Sequence, residues 1–205
     1  MTVASEEELK KNAAEQYAAL GRFVEAFEAM VNEVREACIE RLCEALGSSE
    51  RQRLIEIPFH HQGMTAKILF NIMRAIIAEI VNNENSPHHD DRLKIKKILG
   101  CIEGEYNSLL NKRNELLHGT WFVGYTSTED PNAERFMVRK YKTTADGLAN
   151  IELPKNVAQL DELTQRCVDA LLWIGHLDIC LQEKIRIEDF FRQESAGPWK
   201  FYIKA

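Results

Sequence analysis

The sequence has no apolar run long enough to cross a bilayer. Its most hydrophobic stretch, from Ile68 to Val81, is broken by Asn71, Arg74 and Glu79 and falls short of the roughly 20 residues that a spanning helix needs. The first eight residues, Met1-Thr2-Val3-Ala4-Ser5-Glu6-Glu7-Glu8, are acidic and hold no apolar signal core, so no passage through or to a membrane is expected. A glycine-rich phosphate loop, a nucleophile elbow and a dinucleotide fingerprint are all missing, which leaves nucleoside triphosphate hydrolysis without visible machinery. Cys38, Cys43, Cys101, Cys167 and Cys180 lack paired metal-type spacing. Five thiols scattered through helical patterns suggest a reduced, cytoplasmic protein. Positive charge is also in deficit: the formal net charge is -6, which argues against binding nucleic acid through the whole surface but leaves room for a local basic cleft.

What remains is an ordinary globular composition. The 205 residues are 45% apolar and 28% charged, enough for one substantial core, or one domain with an insertion. No internal repeat, low-complexity tract or second domain is visible. Ser5 and Glu8 are spaced as a capping box, and Leu20, Phe23, Phe27, Met30, Val34, Ile39, Leu42 and Leu46 form a stripe of helical period ending at Gly47. Residues 47–63 are irregular, with Pro58 opposing a continuous helix. A second helix is expected from about Met64 to Val81.

Ser86-Pro87 and the acids Asp90 and Asp91 announce a third helix. Its start, Arg92-Leu93-Lys94-Ile95-Lys96-Lys97, is basic, a composition suited to steering phosphate or simply to a solvated face. Asn156 and Gln159 resemble another capping box, and the apolar pattern from Val157 to Leu181 predicts a last helix to about Arg192. Gly197-Pro198 breaks it, and Trp199, Phe201 and Tyr202 form an aromatic tail (about 195–205) that should dock on the same chain or on a dimer mate.

Between the third and last helices the pattern changes. Trp121-Phe122-Val123-Gly124-Tyr125 and the run from Arg135 to Lys142 are aromatic and β-branched, punctuated by Asp130-Pro131-Asn132 and Asp146-Gly147. Residues 120–153 therefore read as a β-hairpin or three-stranded meander. The expected fold is all-α, an up-and-down bundle of about four main helices with this small β insertion, in one domain over residues 1–205. Arg135, Arg139, Lys140 and Lys142, interleaved with Phe136 and Tyr141, suit phosphate contact and base stacking, though a sheet with one packed and one solvated face explains them too. Lys112, Trp121 and Tyr125 complete the candidate substrate contacts.

The third helix ends on Arg113-Asn114-Glu115-Leu116-Leu117-His118-Gly119. Ile95, Ile98, Ile102, Tyr106 and Leu109 recur every three or four residues, and continuing the rhythm puts Arg113 next and Leu116 after it. The arginine thus interrupts an apolar seam, where a guanidinium is tolerated only when paired or lining a cleft. Asn114 and His118 are four apart and nearly superimposed, so the amide is placed to orient the imidazole. Arg113 and His118 lie about 140° apart on an ideal helix. Serving one site requires the helix to end at His118, with Gly119 as a C-terminal cap, or a second subunit to complete the site. Alternatively, Arg113 pairs with an acid such as Glu105, Glu115 or Asp169 while His118 caps the helix.

An arginine, a polar residue, three more positions and then a histidine, at the end of a helix in a helical domain, resemble the signature of the HEPN superfamily (higher eukaryotes and prokaryotes nucleotide-binding domain). Arg113, Asn114 and His118 match its motif at the shortest spacing. The resemblance implies a helical bundle, often a homodimer with both motifs facing one cleft, and in many members metal-independent RNA cleavage by toxins or phage-defence effectors. It makes Arg113, Asn114 and His118 the candidate catalytic residues, without metal or cofactor, and RNA and an antitoxin or other protein the expected partners. Other members are catalytically silent binding or dimerisation modules, and that alternative stands beside a purely structural helical dimer. His60-His61 and His88-His89-Asp90 sit in polar connections where adjacent side chains diverge, unsuited to chelating one ion. His176, on the apolar last helix, reads as a satisfied core residue.

Overall fold

The apolar stripes of the sequence form four long helices in a computed structural model, which describes residues 6–46, 58–61, 63–118, 120–123, 136–144, 147–151, 156–183, 185–193 and 199–201. Helix α1 spans Glu6–Leu46, α2 Ala66–Asn82, α3 Arg92–Leu117 and α4 Val157–Glu183. The fold class is all-α, as the periodicity predicts. Ser5, the expected cap of α1, lies outside the described residues. Thr65 caps α2 from an extended conformation, its side chain accepting the Ile68 N–H at 3.4 Å. At α4 the Asn156 half of the expected box is present: Asn156 Oδ1 accepts the Gln159 N–H at 2.8 Å.

The insertion after α3 is a three-stranded antiparallel meander of β1 (Thr120–Val123), β2 (Phe136–Thr144) and β3 (Gly147–Ile151). Strand β2 pairs with β1 through its first half, from Val123↔Phe136 to Thr120↔Arg139, and with β3 through its second, from Lys140↔Ile151 to Thr144↔Gly147.

Helix α4 ends nine residues earlier than its pattern predicts, at Glu183 rather than Arg192. Arg186 is extended, at φ -67° and ψ 134°, and the chain continues as a 3₁₀ turn (Ile187–Asp189) and strand β4 (Phe191–Gln193). Leaving the helix still buries Ile187 (0% exposed) and Phe191 (2%), and the backbone groups that a longer helix would have satisfied pair instead with β5 (Trp199–Phe201), in the register Phe191↔Phe201. The docking of the tail is thereby answered in part: its strand lies on its own chain.

The chain divides into two compact units, residues Met1–Phe27 with Leu109–Cys167, and Glu28–Ser108 with Val168–Ala205. In the smaller unit Ala19, Phe23 and Phe27 of α1, Leu109 and Leu116 of α3, and Leu160, Leu163 and Cys167 of α4 are buried. An exposed ion pair joins Arg22 to Asp161 at 2.6 Å, of a class that contributes little to stability.

In the larger unit α2 and α3 are antiparallel: Tyr106 Oη donates to the Ala66 carbonyl, Arg74 meets Glu103 and Lys96 meets Asn82. By contrast α1 and α4 run in the same direction here, since Glu33 lies against Gly175, Arg41 against Asp178 and Glu40 against Gln182. Strict up-and-down alternation therefore does not extend to this pair. Among the described residues of this unit, Arg41 is a buried charge. Its Nε and Nη2 both donate to Asp178 Oδ1 at 2.8 Å, and Nη2 also donates to the Asp178 carbonyl at 3.0 Å. The side chains are only 6% and 15% exposed, so each carries most of the other's desolvation.

Glu33 sits beside this pair. A Cβ on Gly175 would lie 2.9 Å from its Oε1, so a side chain there would displace this flexible carboxyl. Burial raises the Glu33 pKa, and Asp178, Glu40 and Glu36 push it further in the same direction.

Two predictions follow from these charges. Arg41→Leu should cost about 3–5 kcal/mol in urea unfolding by stranding Asp178, and Arg41→Leu with Asp178→Leu should recover much of that loss. A raised carboxyl pKa means that the stability associated with Glu33 is fully present below its ordinary unfolded value and is lost as pH rises through the folded one. Glu33→Gln should therefore raise the melting temperature at neutral pH, and the gain should vanish below about pH 4; an equal gain at both pH values would refute the electrostatic origin.

Candidate functional site

The α3 seam is built as its periodicity requires. Ile95, Ile98, Ile102, Tyr106, Leu109 and Leu116 are all 0–1% exposed, and Arg113 occupies the step between the last two. The smaller unit accommodates it with an aromatic ring. Arg113 Cζ lies over Phe27 at 5.8 Å from the ring centroid, within the range in which a cation is attracted by the ring quadrupole. The Arg113 Nε is shielded from solvent, and Nη1 faces the Asn114 Oδ1 at 3.4 Å. The residue as a whole is half-buried, so its stem is enclosed while part of the side chain reaches the surface.

Glu115 is engaged elsewhere. It accepts from Lys112 Nζ at 3.1 Å, one turn back on the same helix. That contact removes Glu115 from the acids expected to neutralise Arg113, and it ties Lys112, a candidate substrate contact, to a carboxylate.

Helix α3 ends at Leu117. The His118 N–H donates to the Asn114 carbonyl at 3.2 Å, a last helical hydrogen bond, and the chain turns at His118 before β1 begins at Thr120. The His118 side chain is exposed. Asn114 is thus linked to both other motif residues, to Arg113 through its side chain and to His118 through its backbone. The conformation of Gly119, the expected cap, lies outside the described residues.

The meander carries the remaining candidates. Its register sets Arg139 opposite Thr120, two residues past His118, and Trp121 opposite Val138. Lys140 is opposite Ile151 and Lys142 opposite Ala149. The backbone of β2 therefore brings Arg139 and Lys140 to the point where the strand leaves β1 and joins β3, next to the end of the motif helix. Tyr125 and Arg135 lie outside the described residues.

The other charged and histidine-bearing stretches are occupied with structure. In the basic start of α3, Arg92 Nη1 donates to the His89 carbonyl at 2.9 Å, Lys94 binds both Asp91 and Glu188, and Lys96 donates to Asn82 at 2.8 Å. Arg92, Lys94 and Lys96 thus make intramolecular contacts, while Lys97 is exposed. His88 is 5% exposed, with Nε2 at 3.2 Å from the Leu181 carbonyl. His60 and His61 are exposed, and His61 Nδ1 accepts the Gly63 N–H at 3.1 Å. His176 Nδ1 is 2.7 Å from the Leu172 carbonyl, and its ring lies 4.7 Å from that of Phe190, the satisfied environment expected of it.

Two of the thiols are chemically quiet. Burial, then the nearby Asp178, pushes Cys38 up to about 12. Burial followed by Asp189 and Glu188 pushes Cys180 up to about 11. Neither is a thiolate at neutral pH, so neither is an available nucleophile. An open groove of about 430 Å³ between α2 and α3 is lined by Arg74, Lys96 and Glu103 around Ala75, Ala78 and Gly100. Both of its cations are engaged, Arg74 by Glu103 and Lys96 by Asn82. Among the described residues no group of three His, Cys, Asp or Glu side chains is gathered to hold a metal ion, and no helix is long and apolar enough to cross a membrane.

Comparison of the chain with protein-family models, with curated proteins and with solved structures finds no match. The functional reading therefore stands on the site itself.

Sequence reasoning did not find Phe27 as a neighbour of Arg113. Its signal, an aromatic on the α1 stripe four residues after Phe23, is the same signal that any core residue gives. Because His118 is exposed and makes its helical bond through the backbone, His118→Ala should change unfolding free energy by no more than about 0.5 kcal/mol. A larger loss in a denaturant titration would assign the imidazole a structural role.

Proposed function

We propose that the protein is a metal-independent endoribonuclease of the HEPN type, acting in the cytoplasm as a toxin or defence effector. The observation that carries this reading is the end of α3: Arg113 stands in the seam, Asn114 bridges, and the helix terminates so that His118 is left in solvent. Histidine transfers protons near neutral pH, and arginine binds phosphate through paired donors.

In this mechanism His118 takes the proton from a ribose 2'-hydroxyl, and the 2'-oxygen attacks the adjacent phosphorus. Arg113 stabilises the charge that gathers on the phosphoryl oxygens, and the 5'-oxygen of the next nucleotide leaves with a proton from an acid. The products are a 2',3'-cyclic phosphate and a 5'-hydroxyl. One arginine and one histidine per chain make an incomplete set for a separate base and acid. A homodimer that brings two motifs to one cleft supplies the second histidine. Arg139 and Lys140, set by register close to the end of the motif helix, are the meander residues best placed to follow the RNA backbone. An antitoxin or another protein partner would be expected to cover the same surface.

A second reading has its own observation. A guanidinium with a shielded Nε over a buried ring also suits a catalytically silent module in which Arg113 is structural and the surface binds RNA, nucleotide or protein.

Cleavage of mixed cellular RNA in EDTA separates the two. The wild-type protein should produce cyclic phosphate ends. His118→Ala and Arg113→Ala, shown to be folded and of the same oligomeric state, should each lose about 100-fold or more. Equal behaviour of all three proteins would remove the nuclease reading and leave the binding module.

A further inference from the structure

Asparagine is a poor residue for the exposed interior of a helix, because its amide competes with the backbone for hydrogen bonds. Asn111 occupies such a position in α3. It is exposed, and its side chain makes no hydrogen bond or ion pair among the described residues. The residue therefore weakens the helix without gaining a contact within the chain.

Its place on α3 links it to the motif. Asn111 and His118 belong to the same compact unit and are seven residues apart, which is about 20° short of two full turns and about 10 Å along the axis. His118 keeps its helical hydrogen bond to the Asn114 carbonyl, so the helical projection extends to it, and both side chains are exposed. Between them Asn114 is half-buried and turned to Arg113, its Oδ1 3.4 Å from Nη1. Glu115, one turn after Asn111, is paired with Lys112, so the two charges offset each other beside the Asn111 amide.

A carboxamide presents a donor and an acceptor side by side. A phosphate only accepts, and would set its own negative oxygens against the amide oxygen, whereas the edge of a nucleobase offers a matching donor and acceptor. At about 3.4 Å for each stacked nucleotide, the distance from Asn111 to His118 is about three nucleotides.

We infer that Asn111 is a specificity-determining residue, its carboxamide reading the edge of one base within about three nucleotides of the bond cut at His118. The inference rests on the proposed cleavage at His118 and adds to it a sequence preference set from one neutral side chain.

The test compares the wild type, Asn111→Ala and Asn111→Gln. Alanine is the stronger helix former, so Asn111→Ala should fold, and thermal melts check this. A randomised RNA pool is cut in EDTA, and the sequences flanking the cyclic phosphate ends are read. Affinities for the 2'-O-methyl homopolymers of A, C, G and U, which cannot be cleaved, report base preference without chemistry. The wild type should favour one base about tenfold at a position near the cut, and Asn111→Ala should flatten that position to within about twofold while cutting the disfavoured sequences as before. Asn111→Gln keeps the amide and should keep a preference there.

The inference is overturned if the wild type shows no preference near the cut, if Asn111→Ala retains it, or if Asn111→Ala slows all sequences alike. A wild type that binds the homopolymers but cuts nothing removes the nuclease reading, and the base preference in binding, kept or lost in Asn111→Ala, then decides the role of Asn111. A protein that neither binds nor cuts overturns both.

Discussion

A guanidinium keeps its charge at any pH a folded protein meets, so a helix that carries one into an apolar seam must find it a partner. This chain does so twice, by different means. Arg41 is closed off against Asp178, with two donors on one carboxylate oxygen and a third contact to the backbone carbonyl. Arg113 is set over the face of Phe27. The carboxylate neutralises its arginine and occupies its donors, which suits a joint between helices. The ring adds an attraction of a different kind, between a cation and a quadrupole.

The seam of α3 was legible in the sequence because its signal is local. Ile95 to Leu116 repeat at helical spacing, and the interruption at Arg113 needs no knowledge of the rest of the fold to be noticed. The Asn156 cap and the strands flanking the insertion were legible for the same reason: each is settled within a few residues. The end of α4 was not. Residues up to Phe191 continue an apolar helical rhythm, and Ile187 and Phe191 are indeed buried, but a 3₁₀ turn and a strand deliver them. A pattern of burial is silent about which backbone produces it when a second strand can satisfy the hydrogen bonds. Partners across the chain were equally invisible. Neither Phe27 nor the Arg41–Asp178 pair could be read, because periodicity identifies a buried face and not the residue that meets it.

The change from helix to strand immediately after His118 gives the candidate site its form. Ending at Leu117 places the histidine on a turn, still bonded through its backbone to Asn114, and starts the strand whose partner brings in Arg139. One structural event therefore exposes the histidine and recruits a basic strand to its neighbourhood.

The shared direction of α1 and α4 in the larger unit has an electrical side. The peptide dipoles of α2 and α3, which run antiparallel, oppose each other, whereas those of α1 and α4 add. Both negative poles fall toward the same end of the unit, and neither helix has a basic residue in its last turn. That end carries a potential more negative than its side chains alone would produce. Lys94 of α3, which meets Glu188 just beyond α4, stands at this end to oppose it.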